Sequence, residues 1–187
     1  MGLAERRARE RGERERRITQ AARRIAAADG WSAVTIRRLA NAIEYSQPVL
    51  YSHFGNRDAI VAAVAVEGFA ELAKWLRSAA EASPDPEQAI RQAGAAYLDF
   101  AREEPTLYEA MFVSSTDLQF AQEGTKAELK DAFAALHAVV APSGVEGEVA
   151  TETFWAALHG LAELERSGRI RPQARDQRLD LIANCIR

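Results

Sequence analysis

Two short segments lie back to back between residues 35 and 54, "TIRRLANAIE" and "YSQPVLYSHF". Each has a helical apolar pattern, and each is opened by a residue that caps helices. Thr35 is a good N-cap for a helix over Ile36 to about Ile43, where Ile36, Leu39, Ala40 and Ile43 recur at i, i+3, i+4, i+7. A break at Glu44-Tyr45 precedes Ser46, a second N-cap, and Pro48 sits in the first turn, where its missing N–H costs nothing. A supporting helix comes before them, with Ile18, Ala22, Ile25 and Ala26 at helical spacing and Gly30 as its stop; Trp31 and Val34 pack in the connection. Two short helices joined by a tight turn behind a supporting helix form a helix-turn-helix.

The side chains of the second short helix divide by spacing. Leu50 and Phe54 make an inner face, leaving Gln47, Pro48, Val49, Tyr51 and His53 for solvent or a partner. Gln pairs bidentately with adenine, and Pro48 and Val49 suit a thymine methyl. Tyr51 and His53 can donate to phosphates, and a helix N-terminus favours an anion. Taken singly, Tyr51 and His53 are equally readable as half-buried packing residues; the whole set, behind Thr35, Arg37 and Arg38, points to DNA.

Charge supports that placement. Residues 1–60 hold twelve Arg against seven Asp or Glu, a net of +5, while residues 61–187 hold twelve Lys or Arg against twenty Asp or Glu, a net of −8. A basic end on an acidic body suits a polyanion at one end only. Residues 1–13 read as an Arg-rich flexible arm, with Arg6, Arg7, Arg9 and Arg11 among Glu5, Glu10 and Glu13. Such an arm either reaches phosphates or a minor groove, or is a solvated tail with Arg–Glu pairs along a frayed helix.

The rest of the chain is also helical. Strand-like alternation is absent, which makes the fold class all-α. Helices are expected from Asn56 to about Ala82, over about 87–103, from Pro105 to about Val113, and over about 120–140, 146–166 and 173–187. Breaks fall at Pro84 and Pro86, 114–119, Pro142-Ser143-Gly144, and Gly168 to Pro172. That makes about nine helices: a helix-turn-helix domain over 14–58 and a helical domain over 59–187.

The run "TIRRLANAIEYSQPVLYSHFGNRDAIVAAV" resembles the tetracycline-repressor (TetR) family of bacterial transcription regulators. The likeness lies in Thr35, Leu39-Ala40, Ser46, Leu50-Tyr51, His53-Phe54 and Arg57-Asp58, and covers about residues 14–64. It implies that Thr35, Tyr51, His53 and Arg57 contact phosphates, with Ser46 beside them, and that Arg37, Gln47, Pro48 and Val49 approach bases. Members usually carry Gly-Val where this chain has Glu44-Tyr45. Either the turn differs here, or Glu44 bears about 1 kcal/mol of left-handed strain. "FWAALHG", with Trp155, His159 and Gly160, resembles a C-terminal regulatory domain marked by Trp, three residues, then His-Gly (the WHG type).

The resemblance implies a homodimer that binds an operator in double-stranded DNA and answers to an unknown small-molecule effector, most simply as a repressor. A dimer face is legible in Thr153, Ala156, Gly160 and Leu164, with small residues allowing close approach, and in Leu179, Ile182 and Ile186. The same faces could instead pack within one subunit. Candidates for a ligand pocket are Tyr97, Phe100, Tyr108, Met111, Phe112, Phe133, His137, Trp155 and His159, each of which is equally a core residue.

Rival classes find little support. No His has Glu three positions before it, His53, His137 and His159 are scattered, and no Gly-rich phosphate loop or nucleophile elbow appears. No cofactor or metal is expected and the reading is not an enzyme, although an all-helical enzyme, or a DNA-binding regulator without a small ligand, is the alternative to be tested. The single cysteine, Cys185, and the lack of any long apolar run fit a cytoplasmic protein without a membrane span.

Overall fold

The structure, a computed structural model, describes residues 2–83, 85–112, 118–120, 122–140 and 145–186. The described residues form nine α-helices and no strand. In chain order these are α1 (Leu3–Asp29), α2 (Ile36–Ala42), α3 (Gln47–His53), α4 (Arg57–Glu81), α5 (Pro86–Glu103), α6 (Pro105–Phe112), α7 (Ala127–Val140), α8 (Val145–Arg166) and α9 (Arg175–Cys185). The breaks expected at Pro84, over 114–117 and at Pro142-Ser143-Gly144 lie outside the described residues.

The chain divides into two compact units. The first comprises residues 1–68 and 106–119, so it takes in α6 and the first half of α4 besides the helix-turn-helix. The second comprises 69–105 and 120–187. The division falls ten residues beyond the boundary expected at 58 because Ile60, Val61, Val64 and Ala65, on α4, are all buried. A long helix carries the apolar stripe of two cores without a loop to mark the change.

In the first unit, α1 buries Ile18, Thr19, Ala21, Ala22, Ile25 and Ala26, one stripe at helical spacing. Gly30, at φ 80°, ends it, and its N–H donates to the Ala26 carbonyl at 2.8 Å. Trp31 is buried in the short turn that follows, and its Nε1 donates to the Thr106 carbonyl at 3.1 Å. The helix does not begin near residue 14. It runs from Leu3, so the Arg-rich segment is helical rather than an arm, with Arg6–Glu10 and Arg11–Glu15 pairs one turn apart at 3.5 and 2.8 Å.

In the second unit, α5 packs against α7, α8 and α9. Gly94 permits a close approach: a β-carbon there would stand 2.9 Å from Leu179 Cδ2 and 3.3 Å from Leu158 Cδ2. Trp75 meets Phe100 edge to face at 5.8 Å. The helix expected from about 120 starts only at Ala127. Before it, residues 122–125 turn back on themselves: Thr125 N–H donates to the Gln122 carbonyl, and Gln122 N–H donates to Thr125 Oγ1 at 3.0 Å. Gly124 lies within that turn and breaks the helical run.

Candidate nucleic-acid interface and apolar cavity

The two short helices sit as their caps imply. Arg38 N–H donates to Thr35 Oγ1 at 3.2 Å, closing the N-terminus of α2. Its C-terminus closes through Tyr45 N–H, which donates to the Ala40 carbonyl at 3.0 Å. That six-to-one bond is a Schellman closure and needs a left-handed residue just before Tyr45. Glu44 supplies it at φ 57°, the one non-glycine with positive φ among the described residues. The turn is therefore the ordinary one, carried by a side chain that pays a steric penalty there. Tyr45 is held in turn by Arg17, whose guanidinium lies 5.3 Å from the ring centre and donates to the phenol oxygen at 3.1 Å.

Helix α3 is anchored by Leu50, which is 0% exposed and whose burial contributes about 2 kcal/mol. Around it Gln47, Pro48, Val49 and Tyr51 face solvent, with Tyr51 53% exposed although it is a large aromatic. Ser46 is exposed and makes no capping bond, so its hydroxyl is available. Thr35 and Arg37 are exposed beside it, whereas Arg38 is paired with Asp29. No side chain caps the N-terminus of α3: Pro48 has no N–H to satisfy there, and Val49 N–H donates to the Ser46 carbonyl at 3.0 Å.

Two residues expected at phosphates are engaged inside the unit. The His53 side chain is only 6% exposed, with Nδ1 3.4 Å from Glu15 Oε1. Arg57 donates from Nε to the Val34 carbonyl at 3.0 Å and from Nη2 to the Trp31 carbonyl at 2.8 Å. Its Nη1 meets Asp58 at 2.9 Å. Arg57 thus ties the start of α4 to the Trp31–Val34 connection. Asn56, which the sequence places as the cap of α4, accepts from Ala59 N–H at 2.7 Å.

The second unit holds a cavity of about 490 Å³. Phe69, Leu72, Leu129, Ala132 and Leu136 are its buried wall. Phe120, Phe133 and Trp155 are more open. Of the nine pocket candidates, Phe133 and Trp155 line it. Tyr97 and Phe100 are fully buried core; the Tyr97 hydroxyl accepts from Trp155 Nε1 at 3.1 Å and fixes that ring. Tyr108, Met111 and Phe112 belong to the first unit, where Tyr108 and Phe112 pack at 4.8 Å, and they are not among the lining residues.

His137 is outside the lining too. Its Nδ1 lies 3.0 Å from Thr151 Oγ1, and that hydroxyl gives its own proton to the Gly147 carbonyl at 2.7 Å. Nδ1 must therefore be the donor. His159 is half-buried on α8, and burial lowers its pKa below 6.5, against a smaller opposing effect of the Glu163 carboxylate. What sequence reasoning missed was Phe69 and Phe120: one lies at the unit boundary inside a long helix, the other in the connection before α7, and neither shares a periodic face with Trp155.

A stripe on α8 is uncovered. Val149, Thr153, Ala156 and Leu164 are exposed, Val149 by 55%, and a β-carbon at Gly160 would meet nothing within 4 Å. Ile182, on α9, and Ile186, just past its end, are half-buried. Leu179 is only 2% exposed because it faces Gly94, and so it is core and not part of that open face.

Comparison with known proteins decides the family. The profile of bacterial regulatory proteins of the tetR family matches residues 18–64. The tetracyclin repressor-like C-terminal domain matches residues 90–185, just over half of the chain. The chain belongs to the TetR family. Among its relatives is the HTH-type transcriptional regulator Rv0681 of Mycobacterium tuberculosis, 28% identical over 75% of this chain and 64% of that protein. The chain thus spans less than two thirds of that relative's length. A TetR family transcription regulator from Marinobacter aquaeolei has a similar fold, with a TM-score of 0.64 at 16% identity over 95% of this chain and 96% of that one. The transcriptional regulator FadR from Bacillus subtilis, solved in complex with stearoyl-CoA, gives 0.66 at 10% identity over 89% and 96%.

In this TetR-family chain the C-terminal match contains Trp155, His159 and Gly160 and is described as tetracyclin repressor-like. The family and these relatives are regulators of transcription and not enzymes. Among the described residues no helix is long and apolar enough to cross a membrane.

Proposed function

We propose that the chain is a homodimeric, DNA-binding repressor released from a palindromic operator by a small molecule held in the second unit. The observation that carries the DNA part is α3: Leu50 is wholly buried while Gln47, Pro48, Val49 and Tyr51 stand in solvent. One turn apart on that open face, Gln47 offers an amide that can pair with a base edge and Tyr51 a phenol that can donate to a phosphate. In this reading Arg37, Gln47, Pro48 and Val49 read base edges, and Thr35, Ser46 and Tyr51 hold phosphates. Arg57 reaches a phosphate by exchanging its surface pair with Asp58, and His53 does so only by leaving Glu15.

The uncovered stripe on α8, with Ile182 and Ile186, supports a dimer face, since two half-sites must be read together. The aromatic cavity supports an effector site, as does the stearoyl-CoA in FadR, a protein of similar fold. An effector that favours a separation of the two α3 helices other than about 34–36 Å, or a multiple of it, lowers operator affinity by linkage. The test is selection of binders from random duplex DNA. An enriched inverted repeat supports the reading; no enrichment at low salt overturns its DNA part.

A further inference from the structure

We infer that the cavity of the second unit takes an apolar cation, a lipophilic amine or quaternary ammonium, in preference to an anion. This rests on the effector-site reading above and adds the chemical class of the effector. The wall supplies the apolar half. Phe69 and Phe120 meet edge to face at 5.6 Å, and Phe120 and Trp155 lie 6.3 Å apart, so several ring faces bound one space. Ring faces carry negative quadrupole charge, and aromatic walls of this kind are the usual receptor for quaternary ammonium groups.

The rim supplies the charge. Glu123, Glu148 and Glu152 are exposed lining residues against a single cation, Lys130, an excess of two negative charges. Among the described residues none of these four makes an ion pair, so no described cation is bonded to these carboxylates. Glu148 and Glu152 lie one turn apart on α8. The amino-terminal dipole of α8 offsets part of the Glu148 charge, but its influence does not extend beyond the first turn. An anionic head would meet three carboxylates and gain little from the wall. The indole N–H of Trp155, the natural donor there, is already given to Tyr97.

Three probes of one chain length separate charge from apolarity: decyltrimethylammonium, decanoate and 1-decanol, all below micellar concentration. Dissociation constants are measured on the full chain by calorimetry and tryptophan fluorescence, at low and at high salt. The expected order is the cation about tenfold tighter than decanoate at low salt, with decanol between them. High salt narrows the ratio because the rim charges are exposed. In a Glu148→Gln, Glu152→Gln double variant the ratio falls toward one while decanol is unchanged. Decanoate binding as tightly as the cation overturns the inference and leaves the effector site standing, and so does a ratio unmoved in the double variant. Failure of all three to bind overturns the effector-site reading and the charge preference with it.

Discussion

Glu44 shows how one residue can work against the turn that needs it. Its φ of 57° is imposed by the Schellman closure at the end of α2. A glycine relieves about 1 kcal/mol or more of steric cost, and the added freedom of the unfolded chain takes back part of that. Glu44→Gly is therefore expected to raise the melting temperature by a few degrees, and a lower value would show that the glutamate side chain makes a compensating contact. The exposed positions of α3 separate by role. Gln47→Ala is expected to relax preference at one position of each half-site, by about 1–3 kcal/mol, whereas Tyr51→Phe weakens all sequences nearly alike. Binding profiles over a mutated operator library distinguish the two, and the reverse pattern would exchange the assignments. These residues were legible beforehand because cap, proline and i, i+4 spacing decide which way a short helix turns. His53 and Arg57 were not: their partners, Glu15 and the Trp31 and Val34 carbonyls, come from elements far along the chain.

At the level of elements, α1 departs most from expectation. Arginines and glutamates in alternation look like a solvated tail, yet at i, i+4 they also pair along a helix, and the tail is continuous with the buried stripe from Ile18 to Ala26. Removing residues 1–12 is expected to weaken operator binding and flatten the slope of log K against log salt, since fewer counterions are released. An unchanged slope would dismiss the extension as a contact. In the second unit, α5 approaches α9 through Gly94, whose missing side chain is filled by Leu179 and Leu158. Gly94→Val is expected to cost about 2 kcal/mol through overpacking, read from denaturant unfolding. A neutral result would mean that Leu179 finds another rotamer without moving the helix. It is this packing that turns Leu179 inward and leaves the contribution of α9 and its C-cap to an open face to Ile182 and Ile186.

For the whole molecule, the exposed stripe on α8 carries the assembly reading. Ala156→Arg is expected to convert a dimer to a monomer in sedimentation and to abolish binding to an inverted repeat while leaving the fold intact, because Ala156 is exposed in the single chain. A variant that still sediments as a dimer would place the interface elsewhere. The amino-acid sequence by itself determined the helical class, the helix-turn-helix and, His53 excepted, the residues its second short helix shows to solvent. These follow from local spacing, caps and breaks, which act within one or two turns. Tertiary structure alone decided which aromatics enclose a cavity: Phe69, Phe120, Phe133 and Trp155 come from four separate places in the chain. It likewise decided that Tyr108 and Met111 fill the core of the other unit. An apolar face has the same periodicity whether it ends against a neighbouring helix, a cavity or a second subunit, and only the packing of distant segments tells these apart.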